Sequence, residues 1–439
     1  ASDVYNRQAL EYAGEHIGGA LWQYFEGQGD AERALAAMKD ASRYTRGHLS
    51  RDAVHALYGG AVTLSASRMD MARSCHFAYF MRYGLKARER TGAGFDAPQI
   101  GTFVHDVMEH TLRQAKECGG LHTLSKDKLH ALVRASIEEY IDRVLPDLSE
   151  KSARFRYLFN RLCATVERIM DEVSEELQSS DFEPLAFELE FGADGQLPAI
   201  TIREENGTAR VVGKVDRVDG WLHDGKLYLR VVDYKTGKKS FDLAELRYGL
   251  GLQMLLYLFT LKEEGQMLFG GHEIVPAGVL YTPAREPMLR CARDTEPEKI
   301  EKALKKELRR SGMVLEDPAV LQAMEHSAIE SPCYLPIAVK RDGAVTGSLA
   351  SAEQLGKLSK YVDHILHEIT QEVFAGNIDA DPYARTPQQS ACTYCEFASA
   401  CHFENGCGSD RMEYIKATKN DEFWQYIDEV NGEGAHENG

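Results

Sequence analysis

Four cysteines divided between the two ends of the chain constrain its fold more than any other feature. Cys75 stands alone near the beginning, whereas Cys392, Cys395 and Cys401 follow one another near the end in a C-x2-C-x5-C pattern. Four thiolates can share one metal site or cluster only if both ends of the chain meet. The spacing therefore predicts that the chain closes on itself and holds the more than 300 residues between Cys75 and Cys392 in one domain.

Composition places the chain among globular proteins. Its 439 residues are 44% hydrophobic and 27% charged, and this length leaves room for two or three domains around a large core. Nine cysteines, an odd number, favour reduced thiols and a cytoplasmic location over a disulfide framework in a chain of this length. No apolar run approaches the roughly 18 residues that a membrane span requires, so no membrane association is expected.

Hydrophobic periodicity predicts an α/β chain with a small mixed sheet wrapped by many helices. Residues 1–60 form a helical lead-in without motifs, with Ala31–Lys39 as its clearest helix. Further helices are predicted at 67–84, 99–118, 126–145, 154–178, 249–264, 297–310 and 352–375. Strands are predicted at 183–191, 209–219, 226–234 and 274–281, with His223-Asp-Gly as the hairpin turn between the second and third. Residues 411–439 are predicted to be a polar, frayed tail, which leaves 61–410 as the main domain.

The end of the third predicted strand carries a group of charged residues. Alternate side chains of a strand share a face, so Asp233 and Lys235 project together while Tyr234 points the other way. Asp216, on the preceding strand of the hairpin, comes alongside them. An isolated Asp-x-Lys is ordinarily a pair of solvated charges, but this one follows the largely apolar run 229–232, where unpaired charge is costly. Two carboxylates and an ammonium there suit Mg²⁺ and phosphodiester hydrolysis.

Two helices contribute further polar pairs at i, i+4 spacing. His105 lies on the helix predicted at 99–118, with Glu109 one turn further along the same face. Gln253 and Tyr257 share one face of the helix predicted at 249–264. Alone, the histidine fits a core or capping residue, and the Gln–Tyr pair fits the wet edge of an amphipathic helix. Their order around the charged strand ends makes them candidates for the same site.

Together these residues resemble the PD-(D/E)XK nuclease superfamily in its RecB-type branch. The motifs are G-x-x-x-H at Gly101–His105, G-K-V-D-R-V-D at Gly213–Asp219, V-V-D-Y-K-T-G at Val231–Gly237 and Q-x-x-x-Y at Gln253–Tyr257. Leu64–Lys86 is similar to the C-terminal nuclease domain of the AddB subunit of bacterial helicase–nucleases. The resemblance covers residues 61–405 and implies a mixed central sheet of the restriction-endonuclease-like type.

The resemblance also implies a Mg²⁺ or Mn²⁺ site. His105, Asp216 and Asp233 match the family's metal-binding residues, and the main-chain carbonyl of Tyr234 matches a further ligand. Asp216 and Asp233 thereby take part in catalysis, and Lys235 matches the catalytic lysine.

The remaining polar residues match the family less closely. Gln253 and Tyr257 match a helix motif that supports the catalytic site and contacts the nucleic-acid backbone. Glu190 is a further candidate on the outer side of the metal. Asp219 and Glu109 receive no role.

The four cysteines resemble the iron–sulfur version of this branch. That likeness implies a [4Fe–4S] cluster that closes the domain as a staple rather than as a redox centre. By spacing alone, four thiolates fit a tetrahedral zinc ion equally well, and His402 or Cys407 could replace one ligand.

The resemblance implies a metal-dependent deoxyribonuclease, an exonuclease rather than an endonuclease. It would cleave single strands delivered by an AddA-like helicase/nuclease partner subunit during double-strand-break processing and recombinational repair. The sequence contains no G-x-x-x-x-G-K-[ST], and it has no Met at position 1, so we expect the C-terminal piece of such a subunit or a stand-alone relative. Two alternatives stay open: a non-catalytic scaffold that binds DNA or a partner helicase, and a zinc-stapled redox or sensor protein.

The net charge of −17 excludes nucleic-acid binding by overall positive charge. DNA would therefore need a local basic channel or a basic partner. Lys238 and Lys239, directly after the charged strand end, are candidates for such a channel. A second basic group lies on the helix predicted at 297–310 and comprises Lys302, Lys305, Lys306, Arg309 and Arg310.

Overall fold

The computed structural model describes residues 20, 23–24, 28–30, 33, 46–88, 97–192, 194–292, 294–386 and 388–437. Over these residues the chain forms two compact units. The first comprises Ala1–Gly60, Met71–Glu89 and Gln371–Lys416, and the second comprises Ala61–Asp70, Arg90–Thr370 and Ala417–Gly439. The helix predicted at Ala31–Lys39 lies outside the described residues apart from Arg33.

The strands are numbered along the chain. They are β1 (Ala61–Leu64), β2 (Glu183–Phe191), β3 (Ile200–Glu204), β4 (Gly207–Val211), β5 (Gly213–His223), β6 (Lys226–Lys235), β7 (Glu273–Pro283), β8 (Ser311–Leu315), β9 (Ile337–Val339), β10 (Val345–Gly347), β11 (Leu349–Ala350), β12 (Tyr383–Thr386), β13 (Gln389–Ser390) and β14 (Glu413–Tyr414).

The helices are numbered in the same way. They are α1 (Arg51–Tyr58), α2 (Ala66–Ser74), α3 (His76–Tyr79), α4 (Ala97–Glu117), α5 (Lys126–Val144), α6 (Ala153–Gln178), α7 (Leu243–Arg247), α8 (Gln253–Glu264), α9 (Pro297–Glu307), α10 (Pro318–Met324), α11 (Ala352–Ala375), α12 (Ala398–Cys401) and α13 (Asn420–Glu437). A π-helical turn, Phe80–Gly84, continues α3.

A six-stranded mixed sheet lies in the second unit, in the order β11-β8-β7-β6-β5-β2. Strands β2, β5 and β6 pair antiparallel, whereas β6 and β7 run parallel. The central strand β6 is covered on both faces, since Leu229, Val231 and Val232 are all fully buried. The helix α8 supplies part of that cover with an almost continuous buried run, Met254–Leu261. The mixed α/β fold expected from the sequence is therefore confirmed.

The predicted hairpin is confirmed, but the predicted strand at 209–219 is wrong, because two strands of different sheets occupy it. Strand β4 pairs with β1 and β3 in a three-stranded sheet, and β5 begins only at Gly213. Gly213 is required at the start of β5. A Cβ atom there would lie 2.4 Å from the ring of Phe191 and 2.5 Å from the ring of Tyr257. Gly213, the first residue of the motif G-K-V-D-R-V-D, therefore lies against Tyr257 of α8.

The helix predicted at 67–84 is interrupted at Cys75. This residue is extended, with φ −175° and ψ 121°, and the chain restarts as α3 at His76. The carboxylate of Asp381 accepts a hydrogen bond of 2.9 Å from the main-chain N–H of His76, which satisfies one of the free donors at the new helix start. Local sequence carries no signal for this break, because its cap comes from residue 381.

The predicted frayed tail is also wrong, because α13 covers most of it. Phe423 and Ile427 of this helix are fully buried within the second unit. Lys357 forms an ion pair of 2.8 Å with Asp428, and Arg247 stacks 4.6 Å from the ring centroid of Tyr426. The apolar positions at i, i+4 spacing provide a narrow buried face in an otherwise polar segment.

Among the described residues, no helix has the length and apolar character to cross a bilayer.

We predict that Ile427→Ala lowers the free energy of unfolding by about 2–5 kcal/mol, because it leaves a cavity beneath α13. Urea titration followed by circular dichroism measures the change. Gln425→Ala, on the exposed side of the same helix, is the matched control and should change stability by less than about 0.5 kcal/mol. Equal effects of the two substitutions would contradict the packing of α13.

Candidate metal centre

The antiparallel register of β5 and β6 brings two carboxylates side by side. The ladder pairs Asp219 with Arg230 and Arg217 with Val232, and the next step sets Asp216 opposite Asp233. Because side chains alternate along both strands, these two aspartates share one face of the sheet. Asp216 Oδ2 also accepts a hydrogen bond of 2.9 Å from the main-chain N–H of Tyr234. The strand ends are therefore joined at the position of the charged pair.

The helix α4 places His105 over this pair. Its Nε2 donates to the main-chain carbonyl of Tyr234 at 2.8 Å, and its Nδ1 lies 3.4 Å from Asp216 Oδ2. Burial opposes protonation of this imidazole, but the hydrogen bond and charge of Asp216 outweigh burial and raise the pKa of His105 to about 9. The surroundings of His105 therefore favour the positively charged form of its imidazole.

Asp233 and Lys235 project together, as predicted from strand alternation. Lys235 Nζ lies 2.6 Å from Asp233 Oδ2, and its side chain is 30% exposed, whereas that of Asp233 is 5% exposed. Burial and the neighbouring Asp216 raise the pKa of Asp233 to about 6, although Lys235 and His105 act in the opposite direction. This crowding of buried negative charge is the electrostatic setting that a bound cation relieves.

Sequence reasoning missed Glu188 of β2. It lies between the pairs Phe187–Arg217 and Leu189–Val215, and therefore opposite Asp216. His105, Glu188 and Asp216 offer ligand atoms that all lie within 4.8 Å of one another. Burial and the charge of Asp216 raise the pKa of Glu188, although an ion pair with Lys214 lowers it.

Glu190, the acid considered from the sequence, is not part of this group. Its side chain is 56% exposed and lies 3.8 Å from Lys214 Nζ. Strand alternation puts Glu188 and Glu190 of β2 at positions that share a face. The choice depends on the left-handed backbone at Glu188, φ 48°, and on the register with β5, neither of which local sequence reveals.

A cleft of about 660 Å³ has Gln253 and Tyr257 of α8 in its wall, together with Lys214, the ion-pair partner of Glu188. Gln253 Nε2 donates to the Tyr257 hydroxyl at 3.2 Å, and the Tyr257 ring packs edge-on against Phe191. Asp70 also lines the cleft. The two helix residues predicted to share a face are therefore paired with each other at the edge of an open cleft.

The predicted basic residues lie in different surroundings. Lys238 is 78% exposed and forms an ion pair of 3.1 Å with Glu307, and Lys239 lies 3.6 Å from Glu245. The second basic group, predicted on the helix at 297–310, is not a continuous surface, because Arg310 is buried and follows the end of α9.

Glu109 of α4 is paired with Arg113 at 2.8 Å.

All four cysteines of the predicted cluster belong to the first unit, whereas residues 90–370 between them belong to the second. The residues that the four cysteines were predicted to enclose thus fall in two compact units, and the single domain at 61–410 stays a prediction. Cys75 is buried, and burial raises the pKa of its thiol to about 12, with further contributions from Asp381 and Cys401. Cys401 in turn interacts electrostatically with Cys392 and Cys395. Within the described residues, the four sulfur atoms do not form a group as close as His105, Glu188 and Asp216.

An arginine accompanies these thiols in the first unit. Arg46 donates to the main-chain carbonyl of Cys401 at 2.7 Å and lies 3.6 Å from its Sγ. Asp410 accepts hydrogen bonds from Nε and Nη2 of the same guanidinium at 2.8 and 3.0 Å. His402 ends α12 in the left-handed conformation.

Comparison with known proteins agrees with this geometry. Residues 63–402 match the family model of the PD-(D/E)XK nuclease superfamily. The chain is 30% identical over 422 residues to the B subunit of the ATP-dependent helicase/deoxyribonuclease of Ruminiclostridium cellulolyticum, covering 94% of the chain and 36% of that protein. It is 32% identical over 412 residues to the protein of the same name from Acetivibrio thermocellus, covering 93% and 35% respectively.

The chain spans about a third of the length of the curated relatives it matches. The family match itself covers well over half of the chain and contains the strands, the helix α4 and the helix α8 that surround the acidic group. The chain therefore belongs to the PD-(D/E)XK nuclease superfamily.

Proposed function

We propose that the chain is a Mg²⁺- or Mn²⁺-dependent nuclease domain that hydrolyses phosphodiester bonds of single-stranded DNA. The observation that carries the proposal is the convergence of His105, Asp216 and Asp233 from a helix and two neighbouring strands. Family membership supports the nuclease class, and the curated relatives are named as helicase/deoxyribonuclease subunits.

The donor set fits a hard divalent cation. Asp216, Asp233 and Glu188 provide carboxylate oxygens, His105 provides a ring nitrogen, and the Tyr234 carbonyl provides a neutral oxygen. These residues would hold the ion between β5, β6, β2 and α4. When bound, the ion would polarise a phosphoryl oxygen and lower the pKa of a water molecule.

Side chains of the protein would perform the remaining steps of the reaction. Lys235, beside Asp233, would neutralise charge that develops on the phosphoryl group and orient the attacking water. The oxygen of the water would form a bond to phosphorus as the bond from phosphorus to one sugar oxygen breaks, and the proton that the water loses balances the proton that the leaving sugar oxygen takes up. Gln253 and Tyr257 would position the DNA backbone along the adjoining cleft.

The relatives' names also support a setting for this activity. We propose that an AddA-like helicase/nuclease partner delivers the single strand, that the chain acts as an exonuclease in double-strand-break repair, and that it works in the cytoplasm. Such a partner would supply the basic surface that a chain of net charge −17 lacks overall.

For the cysteines we propose a [4Fe–4S] cluster in the first unit. Four free thiols in one unit, coupled electrostatically through Cys401, are a suitable donor set. Such a cluster, when bound, would join Met71–Glu89 to Gln371–Lys416 and restrict the unfolded chain.

We predict that Asp233→Asn lowers kcat for DNA cleavage at least about 100-fold, because loss of even an outer partner of a metal ligand costs 10–100-fold. End-labelled single-stranded DNA with Mg²⁺ measures the rate, and product lengths report the direction of digestion. Asp224→Asn is the control, since it removes the same charge from a hairpin-turn residue that is 89% exposed.

Cleavage at the wild-type rate by Asp233→Asn would refute the assigned centre. DNA binding without any product in the wild-type protein, with either Mg²⁺ or Mn²⁺, would instead favour a non-catalytic scaffold.

We predict that Lys238→Ala/Lys239→Ala reduces the slope of log K against log salt concentration by about 1.4 for single-stranded DNA, or 0.7 per lost phosphate contact. Fluorescence anisotropy in an Asp233→Asn background measures binding without cleavage. The control is Lys126→Ala/Lys299→Ala, which removes two charges from side chains that are 66% and 70% exposed. An unchanged slope would exclude the two lysines from the DNA path.

We predict that Cys395→Ser lowers the iron content and visible absorption of the purified protein by most of their wild-type values, whereas Cys118→Ser, at an exposed thiol, leaves both unchanged. Purification without oxygen followed by iron and zinc analysis makes the measurement. Stoichiometric zinc in place of iron would contradict the iron–sulfur assignment.

A further inference from the structure

Behind the carboxylates, on the opposite face of the same sheet, lies a fully buried network of charged side chains. Its members are Arg217 and Asp219 of β5, Arg230 of β6, Glu176 of α6 and Arg310, which precedes β8. Each is at most 3% exposed. The second motif, G-K-V-D-R-V-D, thus supplies residues to both faces: Asp216 to the carboxylate face and Arg217 and Asp219 to the network.

The network is continuous. Arg217 Nε and Nη2 lie 2.8 and 3.0 Å from the two carboxylate oxygens of Asp219. Asp219 also accepts from Arg230 Nε at 2.9 Å. Arg230 lies 3.5 Å from Glu176, which accepts two hydrogen bonds from Arg310 at 2.6 and 3.0 Å.

One end of the network reaches Tyr234, the residue between Asp233 and Lys235. Arg217 Nη1 donates to the Tyr234 hydroxyl at 2.6 Å. The same residue is held at its main chain, where its N–H donates to Asp216 at 2.9 Å and its carbonyl accepts from His105 at 2.8 Å. Tyr234 is therefore fixed from both faces of the sheet at once.

The electrostatics indicate that these groups are charged together. Burial alone would favour neutral Glu176, but Arg310, Arg230 and Arg217 outweigh it and lower the pKa of Glu176 to about 2. Three guanidinium groups and two carboxylates leave one excess positive charge beside the Tyr234 hydroxyl. Burial raises the pKa of that phenol, so the hydroxyl stays neutral and accepts from Arg217.

We propose that Arg217 and Asp219 are positioning residues for the metal centre. They hold Tyr234 so that its carbonyl and its two neighbours, Asp233 and Lys235, keep the geometry that a divalent cation requires. Metal ligands must be held within about 0.5 Å of their working positions, and a side chain locked by buried charge-assisted hydrogen bonds meets that requirement. This inference rests on the proposed metal-dependent function.

The test measures Mn²⁺ binding to the whole protein without DNA, by electron paramagnetic resonance. Tyr234→Phe removes the acceptor of Arg217 and keeps the ring, and Asp219→Asn keeps the shape of the network but weakens the hold on Arg217. We expect both to raise the Kd for Mn²⁺ and lower kcat by about 10-fold, with KM for DNA unchanged. Tyr361→Phe is the control, because it removes a buried hydroxyl that bonds to the carbonyls of Leu246 and Arg247 outside this network.

Asp233→Asn serves as the reference that separates the two ideas. If Asp233→Asn binds Mn²⁺ as the wild type does, the metal centre itself is wrongly assigned. If Asp233→Asn loses Mn²⁺ while a folded Tyr234→Phe or Asp219→Asn variant binds it with wild-type affinity, only the positioning role is overturned. Failure of both variants to fold cooperatively would also overturn it, because the network would then be purely structural.

Discussion

The antiparallel register between β5 and β6 is the constraint on which the rest of the structure depends. It sets Asp216 opposite Asp233 on one face and Asp219 opposite Arg230 on the other. A shift by one residue would turn the side chains of one strand to the opposite face, and would separate Asp216 from Asp233 and Asp219 from Arg230. One pairing therefore determines both the candidate metal centre and the charge network behind it. The ladder runs from the Arg217–Val232 pair to the His223–Lys226 pair, where the hairpin turn follows.

The buried charges explain why this register is well defined. Removing one partner of a buried ion pair leaves an uncompensated charge and costs roughly 3–5 kcal/mol, so alternative pairings that separate Asp219 from its arginines are strongly disfavoured. The opposite face of the sheet, which carries the carboxylates, has a different electrostatic character. There, the charge of Asp216 raises the pKa values of Glu188 and Asp233, and each of the three carboxylates has one basic neighbour: His105, Lys214 or Lys235.

Local sequence was a good guide wherever periodicity and turns decide the structure. Strand alternation placed Asp233 and Lys235 on one face, and the turn at His223 identified the hairpin that brings Asp216 to them. It failed where a distant residue decides. Asp381 caps the helix that restarts after Cys75, the pairing of β4 with β1 splits one predicted strand into two, and the packing of Ile427 turns a polar tail into a helix.

The sequence alone determined the family, because the order of its short motifs along the chain is specific even though each motif is short. It also determined which strand end carries the acids. Only the tertiary structure decided that Glu188 rather than Glu190 faces His105, and that Arg217 and Asp219 reach Tyr234 from behind. The physical reason is that alternation gives the face of a side chain, whereas its partner depends on register, backbone conformation and packing between elements far apart in the chain.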